Sequence, residues 1–398
     1  MPISEHAQIH GHLAPRETLA GPGTSGQVGS VLRARGVAPG PVLVVADAAV
    51  TQLGLLADLL TGLHAADFVT DVFDQVSGEP GEAVVDAAAA QARERGVTAV
   101  IGIGGGSAMD AAKVAALLAT NSGAAADHVG VVEPQRSLPP LVLVPTTSGT
   151  GSEASRIAMI TVGGVKRVIS CSQFVPSIAV LDEQLVTGLP STVVAATGMD
   201  ALAHAIESML STLRTPFTLA LSAQAITMLR ANLEPAVAGD GAARGRTLYA
   251  AHLAGIALNA GVVLGHSLAY VVARRSPLPH GTCCALALPY CLAYNAAVPA
   301  EIGVHLAELL TGRAGSTLAD AAQEVAALTA RLGLPGHLSE IGIRPTEVAL
   351  MATEIMRDYP RPNNPVPLTE TAVRDLLTHM VEGDLSGAWA SSPTVVSA

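Results

Sequence analysis

Four residues carry the side chains best able to do chemistry together. Asp200 and His204 stand four apart in Gly198-Met199-Asp200-Ala201-Leu202-Ala203-His204. This is a run of good helix formers, so both side chains leave one helix face. His266 in Leu264-Gly265-His266 and His280 in Leu278-Pro279-His280-Gly281 follow after a helical interval. One carboxylate and three imidazoles suit Fe(II), Zn(II), Mn(II), Co(II) or Ni(II) and leave room for a substrate oxygen. Taken alone, an Asp-x-x-x-His pair fits a packed or capping histidine better than a ligand. The elements upstream decide between the two.

Pro41 to Asp47 is a continuous apolar run ending in an acid, the pattern of a strand buried on both faces of a parallel sheet. Ala99 to Ile103 and Leu141 to Pro145 read the same way, and an Ala-rich helix over Ala83 to Arg95 precedes the first of them. Strands alternating with helices of this length predict βαβ units. The second strand runs into Gly104-Gly105-Gly106-Ser107-Ala108-Met109-Asp110-Ala111-Ala112-Lys113. A strand, a glycine turn and a helix N-terminus can cradle a pyrophosphate. The motif is not GxGxxG, and a tight turn without ligand is its plain alternative. Pro145-Thr146-Thr147-Ser148-Gly149-Thr150-Gly151-Ser152-Glu153 gathers hydroxyls and glycines at the third strand's carboxyl end, where ligands lie in open α/β sheets. An ordinary loop would look similar.

A chain of 398 residues predicts two domains. Strand signals cease near residue 189, and Ala/Leu helical stretches cover Thr192–Leu210, Pro216–Leu229, Thr247–Asn259 and Thr317–Leu332. We therefore expect domains over 1–188 and 189–398, with Pro190 and Ser191 at the boundary and Ser191 as an N-cap. Residues 1 to about 20 read as an irregular end or an edge strand. The net charge of -11 with no basic run argues against a nucleic-acid or anionic-membrane partner. No uninterrupted apolar run reaches the roughly 18 to 20 residues of a membrane span, and Met1 to Leu13 lacks a signal-peptide pattern. Cys171, Cys283, Cys284 and Cys291 lack disulfide or CxxC spacing and read as reduced, buried thiols, which sets the expectation of a cytoplasmic protein.

Taken together, the Gly104–Ser107 turn with Asp110 and Lys113, the Pro145–Glu153 loop, Gly198-Met199-Asp200 through His204, and the two later histidines resemble the iron-containing (group III) alcohol dehydrogenase family. Order and separations match from about residue 25 to 390. The resemblance implies an α/β nucleotide-binding domain with a parallel sheet and helices on both faces. It implies an all-α metal-binding domain after it, the architecture shared with dehydroquinate synthase. It further implies NAD(H), with NADP(H) as the alternative, and Fe(II), with Zn(II) as the alternative. Carried over by position, Asp200, His204, His266 and His280 would be the metal ligands. Gly104, Gly105, Gly106, Ser107 and Asp110 would serve the pyrophosphate, and Thr146, Thr147, Thr150 and Lys166 the nicotinamide and ribose. Asp47 would accept from a ribose hydroxyl and so favour NAD(H) over NADP(H). His64, His128, His252, His305, His337 and His379 lack this context and read as surface or capping residues. A homodimer acting on a small-molecule substrate is expected.

Three departures bear on specificity. Gly78-Glu79-Pro80-Gly81 stands where relatives carry Asn-Pro-Thr, so a glutamate must turn away from any phosphate. Tyr270 stands where relatives carry a proton-relaying histidine; its phenol either relays protons or fills space. Arg156, Arg274, Arg275 and Arg361 fall at positions expected to face the cleft, and guanidiniums bind carboxylate or phosphonate oxygens bidentately. The expected activity is hydride transfer between nicotinamide and a small anionic aldehyde or alcohol, with phosphonoacetaldehyde the leading candidate. The alternatives are a broad-range dehydrogenase for uncharged short alcohols, a cyclising lyase or glycerol phosphate dehydrogenase of the wider superfamily, and a scaffold without catalysis.

Overall fold

The computed structural model describes residues 11–393. Nine strands are present among these residues: β1 (Glu17–Ala20), β2 (Pro41–Asp47), β3 (Val69–Val76), β4 (Ala99–Gly104), β5 (Gly130–Val131), β6 (Leu141–Pro145), β7 (Ile157–Val162), β8 (Val165–Ser170) and β9 (Ile178–Leu181). Six form one parallel sheet in the order β1-β9-β6-β4-β2-β3. The helices of this half are α1 (Val28–Ala34), α2 (Ala48–Gln52), α3 (Ala57–Ala65), α4 (Glu82–Arg95) and α5 (Gly106–Thr120).

The side-chain alternation explains why the central strands are apolar throughout. Val42, Val44 and Ala46 of β2, with Ile101, Ile103, Val142 and Val144, pack in the cluster that holds Val28, Leu59 and Leu63 of α1 and α3. Leu43 and Val45, with Val100, Leu141 and Leu143, pack in the opposite cluster with residues of α4 and α5. A strand covered on both faces has no polar side to show. The expected edge strand is β1, at the rim beside β9; the remainder of that expectation, residues 1–10, lies outside the described residues. A second small sheet, β5-β8-β7, contains an antiparallel hairpin turned by Gly163 and Gly164, both at positive φ.

The remainder is helical: α6 (Ser191–Leu210), α7 (Pro216–Val237), α8 (Gly241–Ala257), α9 (Leu264–Ala273), α10 (His280–Tyr294), α11 (Ala300–Thr311), α12 (Leu318–Arg331), α13 (Val348–Asp358), α14 (Glu370–Glu382) and α15 (Leu385–Ala390). One aliphatic core spans these helices, centred on α6 and α10. The last strand ends at Leu181 and α6 begins at Ser191. Pro190, not Ser191, occupies the N-cap, and Ser191 Oγ instead donates to the Val237 carbonyl. Among the described residues, no single helix is long and apolar enough to cross a membrane.

Candidate active site

The sheet's carboxyl ends and the helical half enclose a cavity of about 420 Å³. Gly106, Ser107 and Thr150 line one wall, and Asp200, His204 and His266 the other. The turn leading into α5, the expected phosphate cradle, forms part of the first wall. Gly104 holds φ +152°, and a Cβ there would stand 2.7 Å from Asp47 Oδ2, so only glycine fits this junction. The amide groups of the first turn of α5 open on the cavity, with positive dipole. Thr146 is buried, its amide donating to the Gly104 carbonyl, and Thr147 lies beside Gly105. Asp110 lines the cavity, but Ser152 Oγ (2.6 Å) and the Met159 amide (2.9 Å) occupy its two oxygens. Lys113 is fully buried beneath it, 3.6 Å from Asp110 and donating to Ser152 and to the Ile157 carbonyl. Burial lowers the Lys113 ammonium despite the Asp110 and Glu153 charges. This knot fastens the hydroxyl-rich loop to α5. Asp47 sits at the end of β2, one oxygen capping α2 at the Val50 amide and the other 3.4 Å from the Gly105 amide.

On the facing wall, α6 carries Asp200 and His204 one turn apart, and α9 and α10 begin close to it. Gly281 makes the approach of α10 possible: a Cβ there would lie 1.9 Å from the Ala196 carbonyl oxygen. His204 Nε2, His266 Nε2 and His280 Nε2 stand 3.7, 3.7 and 3.8 Å from Asp200 Oδ1. His266 Nε2 is 3.1 Å from His204 Nε2. Glu207, fully buried on α6, takes His266 Nδ1–H at 2.6 Å and the Val263 and His266 amides at the head of α9. A carboxylate only accepts, so His266 donates from Nδ1 and turns Nε2 toward the cluster. That nitrogen faces His204 Nε2 and the Asp200 carboxylate, an arrangement that a shared cation satisfies.

The electrostatics agree. Burial would raise the Asp200 carboxyl, but His204, His280 and His266 outweigh it and hold it below the ordinary range. Burial lowers His204 and pushes His280 down to about 3, so both rings are neutral donors at physiological pH. His204 Nδ1 and His280 Nδ1 are buried without hydrogen-bond partners. A carboxylate and three imidazoles converging on one point fit a divalent metal. Cys284, one turn after His280 on α10, also enters this cluster, at 3.6 Å from both Asp200 Oδ1 and His280 Nε2. Burial, followed by the Asp200 charge, raises its thiol well above the usual range. Sequence reasoning placed it with the packing cysteines; its i+4 spacing from His280 was the available signal.

Tyr270 stacks on His280 with ring centroids 5.3 Å apart and meets His266 edge-on at 6.0 Å. Lys166 Nζ lies 5.7 Å and the Arg361 guanidinium 5.8 Å from its ring centroid. Burial raises the phenol, and Arg361 and Lys166 pull it back. Lys166 also pairs with Glu79, so the glutamate does turn toward a cation. Burial would lower Lys166, but Tyr270 and Glu79 prevail and raise it.

The expected ring of arginines is not there. Of the four, Arg361 alone lines the cavity. Arg156 is exposed on its loop, where Asn259 holds its backbone amide. Arg274 pairs with Asp358 at 2.9 Å, and Arg275 with Glu354 at 2.7 Å. The end of α9 faces the acids of α13, and those carboxylates neutralise both guanidiniums, although Asp358 itself lines the cavity. Arg167 of β8 lines the cavity and was not foreseen. His252 is another correction: it is 5 % exposed, with Nδ1 3.1 Å from Glu153 and Nε2 3.2 Å from Thr18. It ties the helical half to the sheet's edge strand.

Comparison with known proteins agrees with this geometry. Residues 15–183 match the family model described as iron-containing alcohol dehydrogenase, and residues 194–381 match that of the Fe-containing alcohol dehydrogenase family, C-terminal. The chain is 35% identical over 367 residues to the probable alcohol dehydrogenase EutG of Salmonella typhimurium, covering 91% of this chain and 92% of that one. The structure of a 1,3-propanediol oxidoreductase superposes with TM-score 0.88 at 31% identity, covering 94% of this chain and 100% of that one. A sulfoacetaldehyde reductase from Bifidobacterium kashiwanohense, solved in complex with NAD+, superposes with TM-score 0.84 at 26% identity, covering 94% and 99%. The chain belongs to the iron-containing alcohol dehydrogenase family and is an oxidoreductase of that type.

Proposed function

We propose that the protein interconverts a short anionic aldehyde and its alcohol with NAD(H), with phosphonoacetaldehyde as the leading substrate. The observation that carries this reading is Arg361. It lines the cavity beside Tyr270 and, among the described residues, forms no ion pair. An unpaired guanidinium lining a cavity favours an anionic guest. Lys166 also stands near this ring, though its ammonium is paired with Glu79. The structural neighbour described as a sulfoacetaldehyde reductase acts on a short anionic aldehyde of this kind, and its complex with NAD+ supports the cofactor.

Asp200, His204, His266 and His280 would hold the metal, which would supply Lewis-acid polarisation of the substrate oxygen, and a bound nicotinamide would supply the hydride chemistry. The chain's own residues do the rest. Gly104, Gly105, Gly106 and Ser107, at the head of α5, hold the pyrophosphate. Thr146, Thr147 and Thr150 flank the nicotinamide, and Asp47 accepts from the adenosine ribose. Asp110 acts through the loop it fastens. Tyr270, kept protonated by burial, donates toward the substrate oxygen from beside His280, while Arg361 and Lys166 orient the anion. The domain boundary falls at 188/189, in the connection between β9 and α6.

The test compares kcat/KM for phosphonoacetaldehyde and succinic semialdehyde with propanal and butanal. We expect the anionic substrates to be preferred, and Arg361→Ala to lower their kcat/KM by roughly ten- to a hundredfold, the worth of one or two charged hydrogen bonds. Arg156→Ala should change nothing. Equal values for charged and uncharged substrates, unaffected by Arg361→Ala, would leave a broad-range dehydrogenase for uncharged short alcohols.

A further inference from the structure

We propose that Cys284 Sγ is a fifth protein donor of the metal centre. The thiol is 1 % exposed, and each of its polar neighbours belongs to the candidate ligand set. They are Asp200 Oδ1 at 3.6 Å, His280 Nε2 at 3.6 Å and His266 Nε2 at 4.0 Å. A cysteine that merely packs meets carbon; this one meets a carboxylate oxygen and two imidazole nitrogens. Adjacent donors on one divalent ion, at about 2.1 Å for nitrogen or oxygen and about 2.3 Å for sulfur, stand roughly 3.0–3.6 Å apart. The spacings of Cys284 Sγ to its three neighbours, 3.6 to 4.0 Å, need only a small contraction to reach that range. The helix fixes the geometry: His280 and Cys284 are one turn apart on α10, and Gly281 between them lets that turn press against Asp200.

A thiolate is softer than the other donors and carries a second negative charge beside Asp200. It shifts the centre's preference from iron toward zinc or cobalt. Forming the sulfur–metal bond removes the thiol proton to solvent, with no change of oxidation state, so loading the metal releases one more proton than a carboxylate–imidazole set would.

X-ray absorption of the zinc-loaded protein tests this. The expected spectrum contains one sulfur scatterer at about 2.3 Å among nitrogen and oxygen scatterers at about 2.0–2.1 Å. Cys284→Ser and Cys284→Ala should lose the sulfur while still binding one zinc per chain, and should release one proton fewer on loading. A wild-type spectrum with nitrogen and oxygen scatterers only would overturn the proposal while leaving the metal site standing, as would a sulfur scatterer that persists in Cys284→Ala. If neither variant folds, the wild-type spectrum decides alone.

Discussion

The four residues of the metal face differ in how they are held, and the difference predicts how each substitution behaves. His266 is fixed through Glu207, which binds both its Nδ1 and the head of its helix. Partners of this sort contribute about ten- to a hundredfold in metal affinity. Glu207→Ala should therefore weaken metal binding by that factor in a chelator competition. Glu207→Gln should recover part of the loss, because the amide oxygen still accepts from Nδ1. Unchanged affinity in Glu207→Ala would show that His266 needs no support. For the cofactor, Asp47→Gly should raise the kcat/KM ratio of NADPH to NADH, since a carboxylate repels a 2′-phosphate. A native preference for NADPH would mean that Asp47 serves only α2 and the Gly105 amide. At this scale the sequence was a better guide to which side chains meet than to where charges come to rest. That Asp200, His204, His266 and His280 converge was legible from type and spacing once several motifs agreed. The destination of Arg274 and Arg275 was not, because it depends on where Glu354 and Asp358 of a distant helix come to rest.

Elements were legible where burial dictates composition. β2, β4 and β6 are covered on both faces, so their apolar runs stand out. β3 is partly exposed and reads Val-Thr-Asp-Val-Phe-Asp-Gln-Val, and β9 has only four residues; neither announces itself. The β7–β8 hairpin did carry a signal, Gly163-Gly164 between β-branched runs. It matters because it delivers Lys166 and Arg167 to the cavity. The packing of α10 on α6 hangs on Gly281. Gly281→Ala places a methyl against the Ala196 carbonyl, and overpacking of this type costs about 1–3 kcal/mol. Urea denaturation should show that loss together with weaker metal retention, since His280 and Asp200 separate as the helices part. A variant as stable as wild type would mean that the two helices have slack.

The whole molecule places a helical wall carrying Asp200, His204, His266 and His280 opposite the glycine turn at the sheet's carboxyl ends, and the stability of the pair depends on pH. In the metal-free protein, burial lowers His204 and His280 below the unfolded value of about 6.5, His280 to about 3. Between those values the unfolded chain binds more protons, so stability falls as pH drops from about 6.5 toward 3. Thermal unfolding of chelator-stripped protein should give a lower midpoint at pH 5.5 than at pH 7.5, and His280→Gln should flatten the difference. A midpoint independent of pH would contradict the buried, neutral imidazoles. The most direct test of the account is NADH consumption with phosphonoacetaldehyde, measured on chelator-stripped protein and again after reloading with Fe(II) or Zn(II). The account predicts negligible turnover when stripped, recovery with one metal bound per chain, and neither metal retention nor activity in His280→Ala. Full turnover by stripped protein, or by a metal-free His280→Ala variant, would contradict it.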